Sequence, residues 1–390
     1  MKDQHISPGL VLAGLAIVAL QMSCATTTPQ GAEGVARARA AAAESPSGSV
    51  GAANTNVDVA AAPRTGKSAP TSRVSHAGRA LAPIAGSDAV SAHNPYTDGA
   101  CDFCHKGSAK DPGPLLKPVN QLCFDCHTDF AEMLAQRKVT HPPAAQECTN
   151  CHNPHNSRNK NLLLSDQVTL CTGCHTDIGT TLASAAVKHG ALQEGARCSN
   201  CHNPHASAVE KLLVQQPYDL CIKCHSKDGL TDTAGTKLTN FKTLLDNNPV
   251  VHAPVAGKDC SACHTPHGGN NARLLVASYP ARFYSAYDPE NYALCFTCHD
   301  SDKVTVAETT TLTGFRDGSR NLHYVHVNKA ERGRTCRACH EVHASRQAFQ
   351  IRDGVPYGTQ GWILKLNYQK TATGGTCDKT CHALKTYNNK

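Results

Sequence analysis

The chain is dominated by one short motif, Cys-x-x-Cys-His, and this motif decides what the chain can fold into. Nine copies keep that spacing, and a tenth has one extra residue between its cysteines. The copies are Cys101/Cys104/His105, Cys123/Cys126/His127, Cys148/Cys151/His152, Cys171/Cys174/His175, Cys198/Cys201/His202, Cys221/Cys224/His225, Cys260/Cys263/His264, Cys295/Cys298/His299, Cys336/Cys339/His340 and Cys377/Cys381/His382. Aromatic residues make up only 5% of the chain, too few for a conventional core of this size. The cysteines must therefore organise the fold.

The motif spacing has a chemical reason. Two thiols three residues apart can form thioethers to the two vinyl groups of one haem, and the adjacent imidazole then faces the iron. Structural zinc and a disulfide framework are the alternatives, because both also use paired cysteines. Neither alternative requires His after the second Cys in all ten motifs. The sequence therefore predicts ten covalent haem c groups.

The N-terminal residues resemble an export signal, as haem c attachment outside the cytoplasm requires. Residues 8–20 form a 13-residue apolar run, too short to span a bilayer stably. Cys24 is the one cysteine outside the motifs, and it follows the small residue Ser23. We interpret residues 1–23 as a lipoprotein signal peptide and Cys24 as the lipidated residue. Ordinary cleavage after Ala25 is the alternative.

Residues 24–92 differ in composition from the rest of the chain. From residue 25 onward, 20 of 68 residues are Ala, and the segment contains no Phe, Tyr, Trp or Cys. Such a segment cannot bury enough apolar surface to offset its ordering entropy. The sequence predicts a disordered, lipid-anchored tether here.

Residues 93–390 are built from repeats. The first cysteines of successive motifs lie 22, 25, 23, 27, 23, 39, 35, 41 and 41 residues apart, which groups the motifs into five doublets. Residues 148–155 read Cys-Thr-Asn-Cys-His-Asn-Pro-His, and residues 198–205 repeat them with one change. A Leu-rich triplet follows each copy, at 162–164 and 212–214. Duplication of a two-haem unit is the simplest explanation.

These doublets resemble the doubled Cys-x-x-Cys-His family of multihaem c-type cytochromes, common on the outer membranes of metal-reducing bacteria. The likeness is best over the three central doublets. The first doublet has Lys106, Gly107 and Ser108 where those doublets have Pro-His, and the fifth has the extended last motif. The resemblance implies a decahaem lipoprotein anchored at the outer membrane, on its periplasmic face or at the cell surface. Its implied partners are other multihaem cytochromes and an outer-membrane porin, with extracellular metal oxides or redox shuttles as acceptors.

The histidines outside the motifs match the demand for second axial ligands. Ten irons with two histidines each need twenty, and the motifs supply ten. Setting aside His5 in the signal and His76 in the tether leaves ten more: His93, His141, His155, His189, His205, His252, His267, His323, His326 and His343. Four of these lie three residues after a motif histidine, too near to reach round the same porphyrin, so we expect each to ligate a neighbouring haem.

The predicted fold is mostly irregular with short α-helices, in a repeat-built cytochrome c domain whose core is largely porphyrin. Helices are predicted near residues 130–138 and 180–193. The longer insertions, including 344–376, are predicted to form small hairpins or docking loops. Trp362, the only tryptophan, is predicted to fill a core.

The leading functional hypothesis is electron transfer rather than catalysis, because ligation by two histidines leaves no vacant iron position. A multihaem reductase of a small nitrogen or sulfur oxyanion is the alternative, with one open haem. A filament of stacked subunits is a third possibility. The net charge of +7 does not predict nucleic-acid binding, since each haem would add two propionates.

Overall fold

The computed structural model describes residues 81–232, 235–358, 362–378 and 381–390. The chain divides into two units, Met1–Ala69 and Pro70–Lys390, and the described residues all belong to the second. The predicted signal peptide, Cys24 and most of the predicted tether therefore lie outside the described residues.

The helices are short, and none of those described exceeds nine residues. Several begin at an Asn or Asp whose side chain accepts from the first backbone N–H groups, as Asp166 does from Val168 and Thr169. The α-helices are Asn94–Thr97, Val119–Phe124, Thr128–Gln136, Pro142–Gln146, Gln167–Thr172, Thr176–Ser184, Pro217–His225, Phe241–Asn247, Ala253–Ala256, Ala293–Phe296, Asp302–Thr305 and Leu322–Val327. Within the described ranges, no helix has the length and apolar character needed to cross a membrane. The expected mixture of irregular chain and short helices is confirmed there.

Four antiparallel pairs of two-residue strands connect successive doublets. Each pair joins the residues just before one doublet's upstream histidine to the residues just after the Pro-His, or its equivalent, of the next doublet. The pairs are Ser91–Ala92 with Asn156–Ser157, Val139–Thr140 with Ala206–Ser207, Val187–Lys188 with Gly268–Gly269, and Val250–Val251 with Ala344–Ser345. Two further short pairs are Tyr284–Ser285 with Gly333–Arg334 and Arg316–Asp317 with Arg320–Asn321.

The C-terminal part contains the longer strands. Gly354–Tyr357 and Trp362–Lys365 form a hairpin, inside the segment where the sequence predicts one. Asn367–Thr371, Gly374–Asp378 and Lys385–Asn388 form a three-stranded antiparallel sheet with Gly374–Asp378 in the centre. The prediction for Trp362 is wrong: its side chain is 69% exposed, because it lies beside the hairpin turn rather than against a packed face.

The two predicted helices had different outcomes. Thr128–Gln136 overlaps the expected helix at 130–138. The expected helix at 180–193 is largely wrong, because Thr176–Ser184 ends where Ala185 turns to extended backbone. The next residues, Val187–Lys188, pair with Gly268–Gly269 instead. A contact between doublets has overridden local helix propensity there.

Side-chain burial is concentrated near the C-terminus. Of the eight buried hydrophobic residues in the described ranges, only Ala206 precedes residue 292; the others are Tyr292, Val304, Val327, Ala338, Ala344, Val355 and Tyr387. Tyr292, Val304 and Val327 pack together, with Tyr279, Tyr287 and Phe296 around them. The first three doublets thus have almost no core made of side chains.

The described fold extends upstream of His93, into the segment predicted to be tether. Ser91–Ala92 pairs with Asn156–Ser157. The Ile84 N–H donates to Asn156 Oδ1 at 2.8 Å, and Asn153 Nδ2 donates to the Ala82 carbonyl at 3.1 Å. Residues 82–92 are therefore fastened to the second doublet.

Candidate haem-binding sites

The two motifs of a doublet sit on different local structures. The first motif begins a 3₁₀ turn, as at Cys148–Asn150 and Cys260–Ala262. In the first four doublets the second motif lies at the end of an α-helix, as in Gln167–Thr172. In both cases the motif histidine donates its backbone N–H to the first cysteine's carbonyl, at 3.1 Å for His152 and 2.9 Å for His175. One turn of chain therefore carries both thiols and the imidazole, as attachment to a single haem requires.

The two motifs of a doublet also differ in how far the protein covers their cysteines. The second cysteine of every second motif is exposed, whereas the other fifteen described motif cysteines are half-buried. The exposed cysteines are Cys126, Cys174, Cys224, Cys298 and Cys381. In the first four doublets the exposed residue lies in the last turn of an α-helix or just beyond it. Burial by the protein alone therefore does not mark these five as cofactor-binding residues, and their assignment rests on the motif spacing. A thioether formed at each would leave one edge of its porphyrin near solvent.

A backbone carbonyl orients the imidazole of each first-motif histidine. His152 Nδ1 lies 2.8 Å from the Asn161 carbonyl, and His202 Nδ1 lies 2.8 Å from that of Lys211. His264 and His340 make the same bond nine residues downstream, at 2.9 and 2.8 Å. A carbonyl can only accept, so Nδ1 carries the proton and Nε2 keeps its lone pair for a metal.

The residues that supply these carbonyls have left-handed backbone. The φ angles are 56° at Asn161, 57° at Lys211, 60° at Arg273 and 59° at Phe349. None of these four is glycine, whereas Gly113 supplies the carbonyl for His105 with a φ of 65°. Such a conformation costs about 1–3 kcal/mol for residues other than glycine. The sequence did not predict this hydrogen bond between the motif histidine and a left-handed residue. Its one signal is the Leu-rich triplet, whose second residue forms a bridge back to the motif histidine.

Nine motif histidines face a second histidine across a gap, and two patterns alternate. In the first four doublets the upstream histidine faces the second motif histidine of its own doublet: His93 with His127, His141 with His175, His189 with His225, and His252 with His299. The histidine three residues after a motif faces the first motif histidine of the preceding doublet: His155 with His105, His205 with His152, His267 with His202, and His343 with His264. His323 faces His340.

The geometry of these pairs fits an iron between the rings. Ring centroids lie 6.0 Å apart in the closest pairs, such as His93 with His127, and 6.3 Å apart in His323 with His340. The ring planes are within 24° of parallel in every pair, that value being for His202 with His267. Two metal–imidazole bonds of about 2 Å, added to the half-widths of two rings, give about 6 Å. The residues present therefore fit a haem ligated on both faces.

The upstream histidines are also held by carbonyls. His93 Nδ1 lies 3.0 Å from the Pro154 carbonyl, and His141 Nδ1 lies 2.9 Å from that of Pro204. Each acceptor is a proline of the next doublet, just before the histidine that lies three residues after its motif. One short segment therefore positions two imidazole rings, its own and that of the upstream histidine. Burial lowers the pKa of His141 and His189, and it lowers that of His323 to about 4. A neutral imidazole is the form that binds a metal.

The geometry of the tenth site is less well defined than that of the other nine. His326 lies on the same helix as His323, and burial lowers its pKa, with His382 among the nearby groups that lower it further. His382 Nδ1 lies 2.7 Å from the Ala383 carbonyl. His382 is thus near enough to affect the pKa of His326, but among the described residues the two rings do not face each other as the other nine pairs do.

Cysteine contacts place the motifs in sequence order. Within a doublet, the second cysteines of the two motifs influence each other, as Cys126 raises the pKa of Cys104 in addition to burial. Between doublets, first cysteines are near enough to affect each other: the Cys148 thiol raises the pKa of Cys123, and the pKa of Cys148 falls to about 7. The same contact joins Cys171 to Cys198, Cys221 to Cys260, and Cys295 to Cys336. In each of these pairs the two cysteines belong to motifs that are consecutive along the chain.

Several buried polar atoms suit a negatively charged group. Arg334 Nε and Arg337 Nε are buried and have no hydrogen-bond partner among the described residues, as is also true of the Tyr287 and Tyr292 hydroxyls. Burial lowers the pKa of Arg337, which a carboxylate beside it would oppose. Haem propionates are such carboxylates. Over the described ranges, no group of three or more His, Cys, Asp or Glu residues is arranged to hold a metal ion by itself.

The profile of the family described as doubled CXXCH motif matches four segments of the chain, residues 93–132, 141–180, 189–230 and 252–304. These four segments each begin at an upstream histidine and contain one doublet, and the fifth doublet lies outside them. No curated protein matches the chain. The matches support a multihaem c-type cytochrome, and the motifs indicate covalent binding of haem c.

Proposed function

We propose that this chain carries electrons along a file of ten covalent c-type haems, each ligated by two histidines of the same chain. The observation that carries the proposal is the set of nine facing histidine pairs, with centroids 6.0–6.3 Å apart. A haem in such a pair has no open position for a substrate, which favours electron transfer over catalysis.

The chain's own residues serve this function by holding the ligands still. A haem iron supplies the chemistry, the gain and loss of one electron. The carbonyls of Asn161, Lys211 and Arg273 fix the imidazole tautomer and raise its basicity, which favours the oxidised metal and a low potential. The thioether cysteines and the short strand pairs keep neighbouring sites in contact.

The spin state of the purified holoprotein tests this proposal. Ten haems per chain by pyridine haemochrome and mass, all low-spin by electron paramagnetic resonance, are expected. A substantial high-spin centre that binds carbon monoxide or nitrite would contradict it and favour the oxyanion reductase. The tenth site, with His326 and His382, is where such a centre would be expected first.

The membrane part of the proposal rests on the sequence alone. We propose that Cys24 is lipidated and anchors the chain at the outer membrane, with the following residues as a tether. Fatty-acid labelling of the wild type, lost in Cys24→Ala, is the expected result. Ser23→Ala keeps a small residue before the cysteine and serves as the matched control. Equal labelling of wild type and Cys24→Ala would rule the anchor out.

The proposed partners are other multihaem cytochromes and an outer-membrane porin, with metal oxides or redox shuttles as acceptors. A file of haems suits this role because it moves charge over a distance without moving the protein. The dithionite-reduced holoprotein should be reoxidised by a chelated ferric ion and by a ferric oxide suspension. Failure with both would remove these acceptors.

A further inference from the structure

We propose that axial ligands are passed one way along the chain. Each of the first four doublets receives one distal histidine from the doublet that follows it. The fifth doublet receives its distal histidines from a helix that lies upstream of its own motifs. This inference rests on the proposed haem ligation and assigns every distal ligand to a specific iron.

The transfer of a ligand between doublets recurs four times with the same geometry. The first motif histidine of each of the first four doublets faces a histidine of the next doublet, at 6.1, 6.0, 6.1 and 6.3 Å in chain order. The donated histidine lies only three residues after its own doublet's motif histidine. His155 faces His105 rather than His152, as its short spacing from its own motif histidine requires.

The backbone between doublets explains the direction of transfer. The upstream histidine of one doublet donates its backbone N–H to the carbonyl of the next doublet's donated histidine, at 2.8 Å from His93 to His155 and 2.9 Å from His141 to His205. His252 makes the same bond to His343 at 2.9 Å. One pair of two-residue strands therefore positions both distal ligands of a doublet.

The departures of the first doublet from the repeat follow from this scheme. No doublet precedes it, so no iron needs a histidine from residue 108, which is Ser. The segment instead folds back on itself, where the Gly107 N–H donates to the Pro112 carbonyl at 2.7 Å and the Ser108 N–H donates to the Asp111 carbonyl at 2.8 Å. A Cβ on Gly107 would lie 2.0 Å from the Asp111 carbonyl oxygen, so this tight loop leaves no room for the Pro-His of the other doublets.

In the fifth doublet the first motif histidine faces a histidine of helix Leu322–Val327 rather than one from a further doublet. His323 faces His340 at 6.3 Å, and His326, the proposed ligand of the tenth haem, lies one turn further along the same helix. Asn321 is fully buried and begins this helix, with Oδ1 accepting from the His323 N–H at 3.0 Å. The helix thus completes the array inside one chain, as capping units end other repeat proteins.

Double variants separate this scheme from pairing within a doublet. His205→Ala is expected to open one haem, seen as one high-spin centre per chain. Adding Cys148→Ala and Cys151→Ala, which remove the third haem, should abolish that centre. Adding Cys198→Ala and Cys201→Ala instead should leave it. The reverse pattern would overturn the proposal. If the alanine variant does not mature, His205→Met keeps a ligand at this iron and should raise the potential of one haem. That haem should disappear when Cys148→Ala and Cys151→Ala are added, and it should remain when Cys198→Ala and Cys201→Ala are added.

The terminal helix is tested in the same way. His323→Ala should open the ninth haem, and the high-spin centre should vanish when Cys336→Ala and Cys339→Ala are added. Persistence of the centre would overturn the capping role.

An internal deletion tests whether interior doublets are equivalent. Deletion of residues 158–207 joins Ser157 to Ala208, which natively follows Ser207, and leaves eight motifs with sixteen of the proposed ligands. We expect eight haems, all low-spin, with His267 now serving His152. A high-spin centre in this variant would overturn the one-way scheme. If the wild type itself lacks ten low-spin haems, the proposed function fails; if only the variant patterns differ, this inference alone fails.

Discussion

The first three doublets and the C-terminal part of the chain make their interiors in different ways. Among the described residues of the range 93–250 only Ala206 is a buried hydrophobic residue, and the doublets are joined by two-residue strands. From residue 277 onward seven hydrophobic side chains are buried among the described residues, and longer strands appear. The repeats are short where haem is expected to replace side chains in the interior, whereas the C-terminal insertions form a core of buried side chains.

This difference shows what the insertions contribute. An interior doublet has a neighbour on each side to complete it, so it needs little beyond its motifs and histidines. The fifth doublet has both proposed distal ligands on one helix, and Val327 of that helix packs against Val304 and Tyr292. The side-chain core lies where the repeat scheme stops.

Preventing haem attachment should give the largest effect and the sharpest test of the contrast. In apoprotein, residues 93–250 should lose all amide protection, because little apolar side-chain area remains to offset chain entropy. Residues around Tyr292 and Val327 should keep measurable protection. Hydrogen exchange with peptide resolution measures both, and equal protection of the two regions would contradict the comparison.

Truncation of the buried tyrosine should be the next largest effect. Tyr292 is fully buried, so Tyr292→Ala should lower the free energy of unfolding of the C-terminal part by about 3–5 kcal/mol. Tyr96→Ala, in the first doublet and 37% exposed, should cost about 1 kcal/mol or less. Denaturant titration of the holoproteins compares them. Similar losses in the two variants would show that the C-terminal core is not a separate source of stability.

Two helix caps offer a smaller, matched comparison. Asn321 is fully buried and also donates to the Lys303 and Val306 carbonyls, at 3.0 and 2.7 Å. Asn321→Ala should cost about 2–3 kcal/mol, since buried partners are left unpaired. Asp166 is an exposed cap, so Asp166→Ala should cost about 1 kcal/mol. Thermal unfolding of both variants measures the difference, and an equal change would contradict it.

The smallest effect is the pH dependence of one helix cap in the second doublet. Hydrogen bonding to Thr169 lowers the pKa of Asp166 below its ordinary value of 3.8. A lowered folded-state pKa gives stability that is present above the unfolded value and lost as pH falls through the folded one. Stability of this helix should therefore fall slightly below about pH 4. Asp166→Asn should remove that slope, and an unchanged slope would assign it to another carboxyl.

Much of the site could be predicted from the sequence, but the partners within it could not. Motif chemistry and counting identified the candidate ligands, and spacing excluded His155 from its own motif's haem. Which doublet His155 would face depends on two-residue strands that have no recognisable propensity. The left-handed carbonyls at Asn161 and Phe349 were missed because neither residue is glycine. Trp362 was misplaced because composition does not show which hairpin face will be covered.

The thiol contacts between doublets constrain the order in which this protein can be made. Cys123 and Cys148 belong to different motifs but lie close enough to hydrogen-bond, and three further pairs repeat the contact. A chain that folded first in an oxidising compartment would hold these thiols where disulfides form. Each such bond would withdraw one thiol from each of two haem sites. Haem attachment to these cysteines would therefore have to precede the packing of neighbouring doublets, and the order of maturation would then set the yield of complete protein.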